Sequence, residues 1–175
     1  APGPGTPPLP GRPLAAPRGG GRPVAVLEGD PRTDNDARRI AKTGAKVHQI
    51  ETGKACHLDA HQVGHALEHI GPAEGSIVFV ENVGNLICPA AFDLGEDHSI
   101  VILSVTEGDD KPLKYPAMFR KAEMPIINTI DLLSQTDFSL AQAREDALSI
   151  NPELKMMELS CRTGEGLDAW FRYLR

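Results

Sequence analysis

From residue 24 onward, short apolar runs alternate with longer stretches of helical spacing, and this alternation limits the fold more than any other feature of the chain. Val24-Ala25-Val26-Leu27 is stopped by Glu28-Gly29-Asp30, which predicts a strand ending in a turn. Residues 34–43 predict a helix closed by Gly44, and residues 46–50 alternate like a strand. Leu58, Val63, Ala66, Leu67 and Ile70 are spaced as one helix face over 58–70, which Gly71-Pro72 terminates. Further strands are expected at 76–80, 100–105, 125–130 and 156–159, and further helices at 114–122, 138–149 and 167–174. Strands and helices in this order predict an α/β fold, a doubly wound and mostly parallel sheet with helices on both faces. Near-continuous apolar strands fit burial from both sides. Ligands of such sheets bind beyond the carboxyl ends of the strands. That singles out Asp30, Glu81-Asn82, Thr106-Glu107, the run 128–131 and Ser160.

The first 23 residues depart from this pattern. They hold 8 of the 15 prolines and 6 of the 17 glycines, with three arginines and no acid. Locked φ angles and missing N–H donors forbid a regular helix there. Residues 1–23 are therefore expected to be an extended, disordered lead-in, and 24–175 one globular domain. The whole chain carries a net charge of -6, which disfavours sequence-independent nucleic-acid binding. No apolar run reaches the ~20 residues that cross a bilayer, and no signal-type apolar segment opens the chain. Nucleic acid and membrane are thus excluded as expected partners. Three widely spaced cysteines (Cys56, Cys88, Cys161) argue against a disulfide framework and for a reducing compartment, the cytoplasm.

Two kinds of chemistry stand out. The first suits a nucleotide. Asn128-Thr129-Ile130-Asp131 follows an apolar strand, and a carboxylate there can accept two N–H bonds from the edge of guanine, a donor pair adenine lacks. Read alone, Asp131 simply caps a turn. The loop from Ser160 and Cys161 to Gly166, thirty residues on and again after a strand, strengthens the nucleotide reading. Glu81 ends a strand and can hold Mg²⁺ through water, and Gly84 three residues later lets an N–H approach a terminal phosphate. Asp30, Thr33, Asp34 and Asp36 crowd one loop, where carboxylates either face solvent or share a cation, and a cation is the expectation here.

The second kind suits a transition metal. Cys56-His57 precedes a helix on which His61, His65 and His69 recur every four residues, hence on one face. Thiolate and imidazole suit Zn²⁺ or Ni²⁺, and Cys88 supplies a second thiol. His69 is expected simply to meet water, while His61 and His65 stay open between solvent and metal. Side chains of the adjacent Cys56 and His57 diverge, so a site shared across a two-fold axis would ease the geometry.

Together, Glu28-Gly29-Asp30, the stretch 33–38, Cys56-His57-Leu58-Asp59-Ala60, the run 81–89 and the run 104–116 resemble the hydrogenase nickel incorporation protein B family. The resemblance runs from about residue 24 to 175, and the run 81–89 is distinctive for that family rather than for GTPases at large. It implies a P-loop NTPase-type sheet that here begins after the family's first strand, GTP-dependent homodimerisation, and nickel insertion into [NiFe] hydrogenase coupled to GTP hydrolysis. Its partners would be the hydrogenase large subunit and other nickel-delivery maturation factors. By the resemblance, Cys56, His57 and Cys88 are Ni²⁺ or Zn²⁺ ligands with His61 and His65 as accessories. Asp30, Asp36 and Glu81 surround Mg²⁺, and Gly84 faces the γ-phosphate. Asn128 and Asp131 read guanine, with Ser160 and Cys161 behind the base. Gly3 and Gly5 match glycines of the phosphate loop. Thr6 stands where the phosphate-binding lysine belongs, Pro7 where the Mg²⁺-binding threonine belongs, and Thr129 where the family has a lysine. These departures leave GTP to GDP turnover open and carry an alternative: a Ni/Zn-binding module that has lost hydrolysis.

Overall fold

The computed structural model describes residues 22–29, 44–53 and 55–175. The helix expected at 34–43 and nearly all of the segment 1–23 lie outside the described residues. The chain forms two compact units, one running to Gly95 together with Arg175, the other Glu96–Leu174.

In the first unit, β1 (Val24–Glu28) lies between β2 (Lys46–Gln49) and β3 (Ile77–Glu81). All three strands are parallel, with Ala25 opposite Lys46 and Val78, and Glu28 opposite Glu81. The central strand buries Ala25, Val26 and Leu27 fully. Against them packs α1 (Ala60–Ile70), whose Val63 and Ala66 join Leu27, Ile50 and Leu58 in one core. The helix starts on a capping box, Asp59 accepting from Gln62 N–H while the Gln62 side chain returns to the Asp59 N–H. It ends at Gly71, whose left-handed φ of 52° only glycine adopts freely. Gly29 donates to the Glu81 carbonyl at 2.8 Å, and a Cβ there would strike Leu58. The ends of β1 and β3 are thereby held together where ligands of such sheets bind.

In the second unit, β5 (Met124–Asn128) lies between β4 (Ile100–Ser104) and β6 (Met157–Glu158), again all parallel. Every residue of β5 is buried. Four helices follow the strands: α2 (Lys111–Lys114), α3 (Pro116–Lys121), α4 (Leu140–Ile150) and α5 (Leu167–Tyr173). Phe119, Ala143, Ala147, Leu167 and Trp170 are among their buried contributions.

The strand positions match the sequence expectation to within a residue or two, and two details differ. Residues 76–80 were expected to be buried on both faces, yet β3 is half-buried throughout, and Ile102 of β4 is 45% exposed. Both are the end strands of their three-stranded sheets, with no strand paired to the outer edge among the described residues. The helix expected over 114–122 is α3, and a separate short helix, α2, precedes it. Pro116 has no N–H to continue the first helix and a fixed φ suited to starting the second.

Candidate functional site

Within the first unit the donor atoms of Cys56, His57 and Cys88 lie within 4.8 Å of one another, the one such group of three or more among the described residues. The two Sγ atoms are 2.7 Å apart, and Cys56 Sγ is 3.6 Å from His57 Nδ1. Both cysteines are free thiols. The cysteines are 32 residues apart in the chain, and two asparagines bring them together. Asn82 follows β3 directly, and its Oδ1 accepts from the Leu58 and Val83 amides, each at 2.9 Å. Asn85 reaches both sides of the site. Its amide group donates to the Cys56 carbonyl, while its Oδ1 accepts from the Ile87 and Cys88 amides at 3.0 and 2.9 Å. Cys88 then opens a 3₁₀ turn, Cys88–Ala91, with Pro89 at its second position. The His57 ring stacks on Phe92, centroids 3.7 Å apart and planes 14° from parallel, which fixes the imidazole plane.

The group is open to solvent: Cys56 is exposed, His57 and Cys88 half-buried. The Cys88 thiol is pushed up from its ordinary value, first by its hydrogen bond with Cys56, then by desolvation and by the charge Cys56 would carry. Two thiols this close cannot both ionise cheaply without a cation between them. Two thiolates and an imidazole are a donor set for a soft or borderline divalent ion. Three donors also leave a four-coordinate ion one short. His61 and His65 are not in the group. They form a pair of their own on α1, ring centroids 4.4 Å apart.

The second unit assembles the other candidate residues. Asn128 ends β5, is 2% exposed, and its Oδ1 accepts from the Cys161 amide at 3.1 Å. Asp131 Oδ1 accepts from the Ser160 hydroxyl at 2.5 Å, and the Ser160 Oγ accepts from the Thr163 amide at 3.1 Å. The Arg162 guanidinium stands 3.8 Å from Asp131 Oδ2. The loops 128–131 and 160–166, separate in sequence, are thus one hydrogen-bonded body. Gly166 closes it with φ 75°, where a Cβ would strike the Glu158 carbonyl. Thr129 is the one non-glycine residue with positive φ (63°) among the described residues. Its hydroxyl is engaged by the Asn128 carbonyl and by Ser104 Oγ at 2.6 and 2.7 Å, which holds a β-branched residue in a conformation it disfavours.

Glu81 ends β3, and Gly84 is exposed on the loop leading to Cys88. Asp30, Asp36, Gly3 and Gly5 lie outside the described residues. Sequence reasoning missed Asn85 and Phe92 as organisers of the metal group. The Asn-x-x-Cys-Pro spacing is a signal for Asn85, since an asparagine three residues before a turn-opening cysteine is placed to cap its amide. Nothing local marks Phe92.

Residues 14–158 match the family described as CobW/HypB/UreG, nucleotide-binding domain. The hydrogenase maturation factor HypB of Rhizobium leguminosarum bv. viciae is 57% identical over 151 residues, 86% of this chain and 50% of that protein. The probable hydrogenase maturation factor HypB of Methanocaldococcus jannaschii is 46% identical over 151 residues, 86% of this chain and 68% of that protein. The crystal structure of HypB from Helicobacter pylori in complex with nickel aligns with a TM-score of 0.86 at 39% identity, covering 94% of this chain and 78% of that one. The chain spans about half the length of the first of these relatives.

Proposed function

The chain belongs to the HypB members of the CobW/HypB/UreG nucleotide-binding family, and from that premise we propose that it serves [NiFe] hydrogenase maturation by coupling GTP hydrolysis to nickel binding and delivery. The observation that carries this reading is the convergence of Cys56, His57 and Cys88. Their donor chemistry accepts Ni²⁺ and Zn²⁺ alike. The nickel complex of a HypB relative favours nickel as the cargo. A homodimer with the site on its two-fold axis doubles the donors and completes the coordination. The exposed Cys56 beside the half-buried His57 and Cys88 keeps the cargo accessible to a recipient, here the hydrogenase large subunit and the other nickel-delivery factors of the cytoplasm. No helix among the described residues is long and apolar enough to cross a membrane.

In the same reading Asp131, held by Ser160, accepts the N–H pair of guanine. Asn128 holds the loop of Ser160 and Cys161 behind the base. Asp30, Asp36 and Glu81 hold Mg²⁺, which neutralises phosphate charge, and Gly84, Gly3 and Gly5 offer backbone N–H groups to the phosphates. Glu81 at the end of β3 and Cys88 stand seven residues apart in the chain, so an ordering of Glu81 by nucleotide acts on the thiol through the intervening loop.

Thr6 and Pro7 favour a second reading, a metal-binding module without hydrolysis. Threonine brings no positive charge to the β- and γ-phosphates, and proline has neither hydroxyl nor N–H for the site. Calorimetry with guanine and adenine nucleotides, with and without Ni²⁺, tests the first reading beside a GTP turnover assay. Guanine-selective binding tightened by Ni²⁺, with turnover, supports it. Nickel binding without turnover supports the second reading. Nickel held as tightly by a Cys56→Ala, Cys88→Ala variant as by the unaltered chain overturns both.

A further inference from the structure

The two thiols of the candidate site are placed for a second kind of chemistry. Their Sγ atoms are 2.7 Å apart. A disulfide holds two sulfurs at ~2.05 Å, and a tetrahedral ion with metal–sulfur bonds of ~2.3 Å holds them about 3.8 Å apart. The pair lies between these separations, about 1 Å from either, so each state is a small side-chain movement away. Both cysteines are free thiols, Cys56 exposed and Cys88 half-buried. The backbone itself is tied at this point, because Asn85 donates to the Cys56 carbonyl and accepts from the Cys88 amide. In an unfolded chain, joining residues 32 apart costs loop-closure entropy. Here the fold has already closed that loop. Cys161 is buried and so is not open to an oxidant in solution.

We infer that Cys56 and Cys88 are also a site of reversible covalent modification, a dithiol that a small peptide disulfide, glutathione disulfide, converts to an intramolecular disulfide, and that this bond and the metal ion exclude each other. The exposed Cys56 thiolate attacks one sulfur of glutathione disulfide, forming a mixed disulfide and expelling one glutathione thiolate. The Cys88 thiolate then attacks the Cys56 sulfur of that adduct, forming the Cys56–Cys88 bond and expelling the second glutathione thiolate. The two protein thiols give up two electrons and two protons, and one glutathione disulfide takes them up to become two glutathione thiols. A disulfide has no thiolate left for an ion, since the thiolate is the ligand. A bound ion in turn holds both sulfurs and withholds the nucleophile. Disulfides that form in a reducing compartment are typically transient and redox-sensing. Oxidation thereby takes the chain out of nickel loading until it is reduced. That consequence rests on the proposed function, whereas the disulfide chemistry does not.

Equilibration of the full, ion-free chain with mixtures of reduced and oxidised glutathione tests the inference. Remaining thiols are trapped with an alkylating reagent in denaturant, and peptide mapping reads the linkage. The expected result is a Cys56–Cys88 link within one chain, with only Cys161 still taking the reagent, fully reversed by dithiothreitol. Cys88→Ser should instead leave a glutathione adduct on Cys56, because no second thiol expels it. Prior loading with Ni²⁺ should slow the oxidation about tenfold or more, and oxidation should abolish the thiolate-to-nickel charge-transfer absorption. A glutathione adduct that persists in the unaltered chain, a link between chains rather than within one, or thiols that stay free across the whole range overturns the inference. In a chain that binds nickel, so does charge-transfer absorption that survives full oxidation, or oxidation that nickel does not slow. A reduced chain that takes up no nickel overturns the proposed function alone, and the linkage in the ion-free chain still decides the disulfide.

Discussion

The two units each use an asparagine to join distant loops, and they use it at opposite depths. Asn85 sits at a half-buried surface and ties the Cys56 backbone to the amide of Cys88. Asn128 is 2% exposed and ties β5 to the Cys161 amide, beside a Ser160 that is 0% exposed. The first clamp leaves the Cys56 thiol exposed and Cys88 half-buried. The second is part of a body whose polar groups satisfy one another. A site that must pass on an ion needs donors that water and a recipient can reach. A site that must discriminate one base from another needs groups already held in place, so that a wrong base leaves them unpaired. The same residue type therefore has different consequences in the two places, and substitutions can separate them.

The largest effect is expected from Gly166→Ala. The added Cβ meets the Glu158 carbonyl and Leu159 at a φ of 75°, so the loop carrying Ser160 must move. A loss of about 3 kcal/mol in the second unit is expected, read by chemical denaturation. Unchanged stability would break the contrast at its rigid end. Next is Asn128→Ala, which leaves the buried Cys161 N–H without its acceptor. About 2 kcal/mol of stability should be lost, with guanine-nucleotide binding falling alongside. Asn85→Ala sharpens the comparison from the other side. Its stability cost is expected to stay within about 1 kcal/mol, while Ni²⁺ affinity drops about 10–100-fold because both cysteine loops lose their tie. Thermal melting and nickel titration on one sample read both. If stability collapses as far as in the Asn128 variant, the two clamps are alike.

The smallest effect is a pH dependence in the first unit. Burial, and then the charge of His69, hold the His48 imidazole below its ordinary value. As pH falls through the usual imidazole range the unfolded chain takes up the proton first, so stability declines with acidity. Melting between about pH 7.5 and about pH 5.5 should show this slope, and His48→Gln should flatten it. An equal slope in the variant assigns the effect elsewhere.

Much of this arrangement was legible beforehand, for a physical reason. Strand runs such as 24–27 and 125–127 are apolar because they are central, and the 58–70 helix is amphipathic because one face meets a core. Thiols and imidazoles are rare enough that Cys56-His57 and Cys88 stand out as donors without knowledge of the fold. The half-burial of β3 and the exposure of Ile102 in β4 were not legible. An end strand and a central strand have the same apolar composition, and only their neighbours differ. The stack of Phe92 on His57 was equally silent, since an exposed phenylalanine carries no local mark of what it touches.

The amino-acid order by itself determined the α/β alternation, the helix ends and the identity of the ligating atoms, because backbone propensity and side-chain chemistry act within a few residues. Tertiary structure alone decided that Cys56 and Cys88 meet, that His61 and His65 stand apart from them, and that Asn128 is buried while Asn85 is not. Those outcomes depend on which strand lies beside which and on hydrogen bonds that span about thirty residues, a separation at which no local periodicity survives.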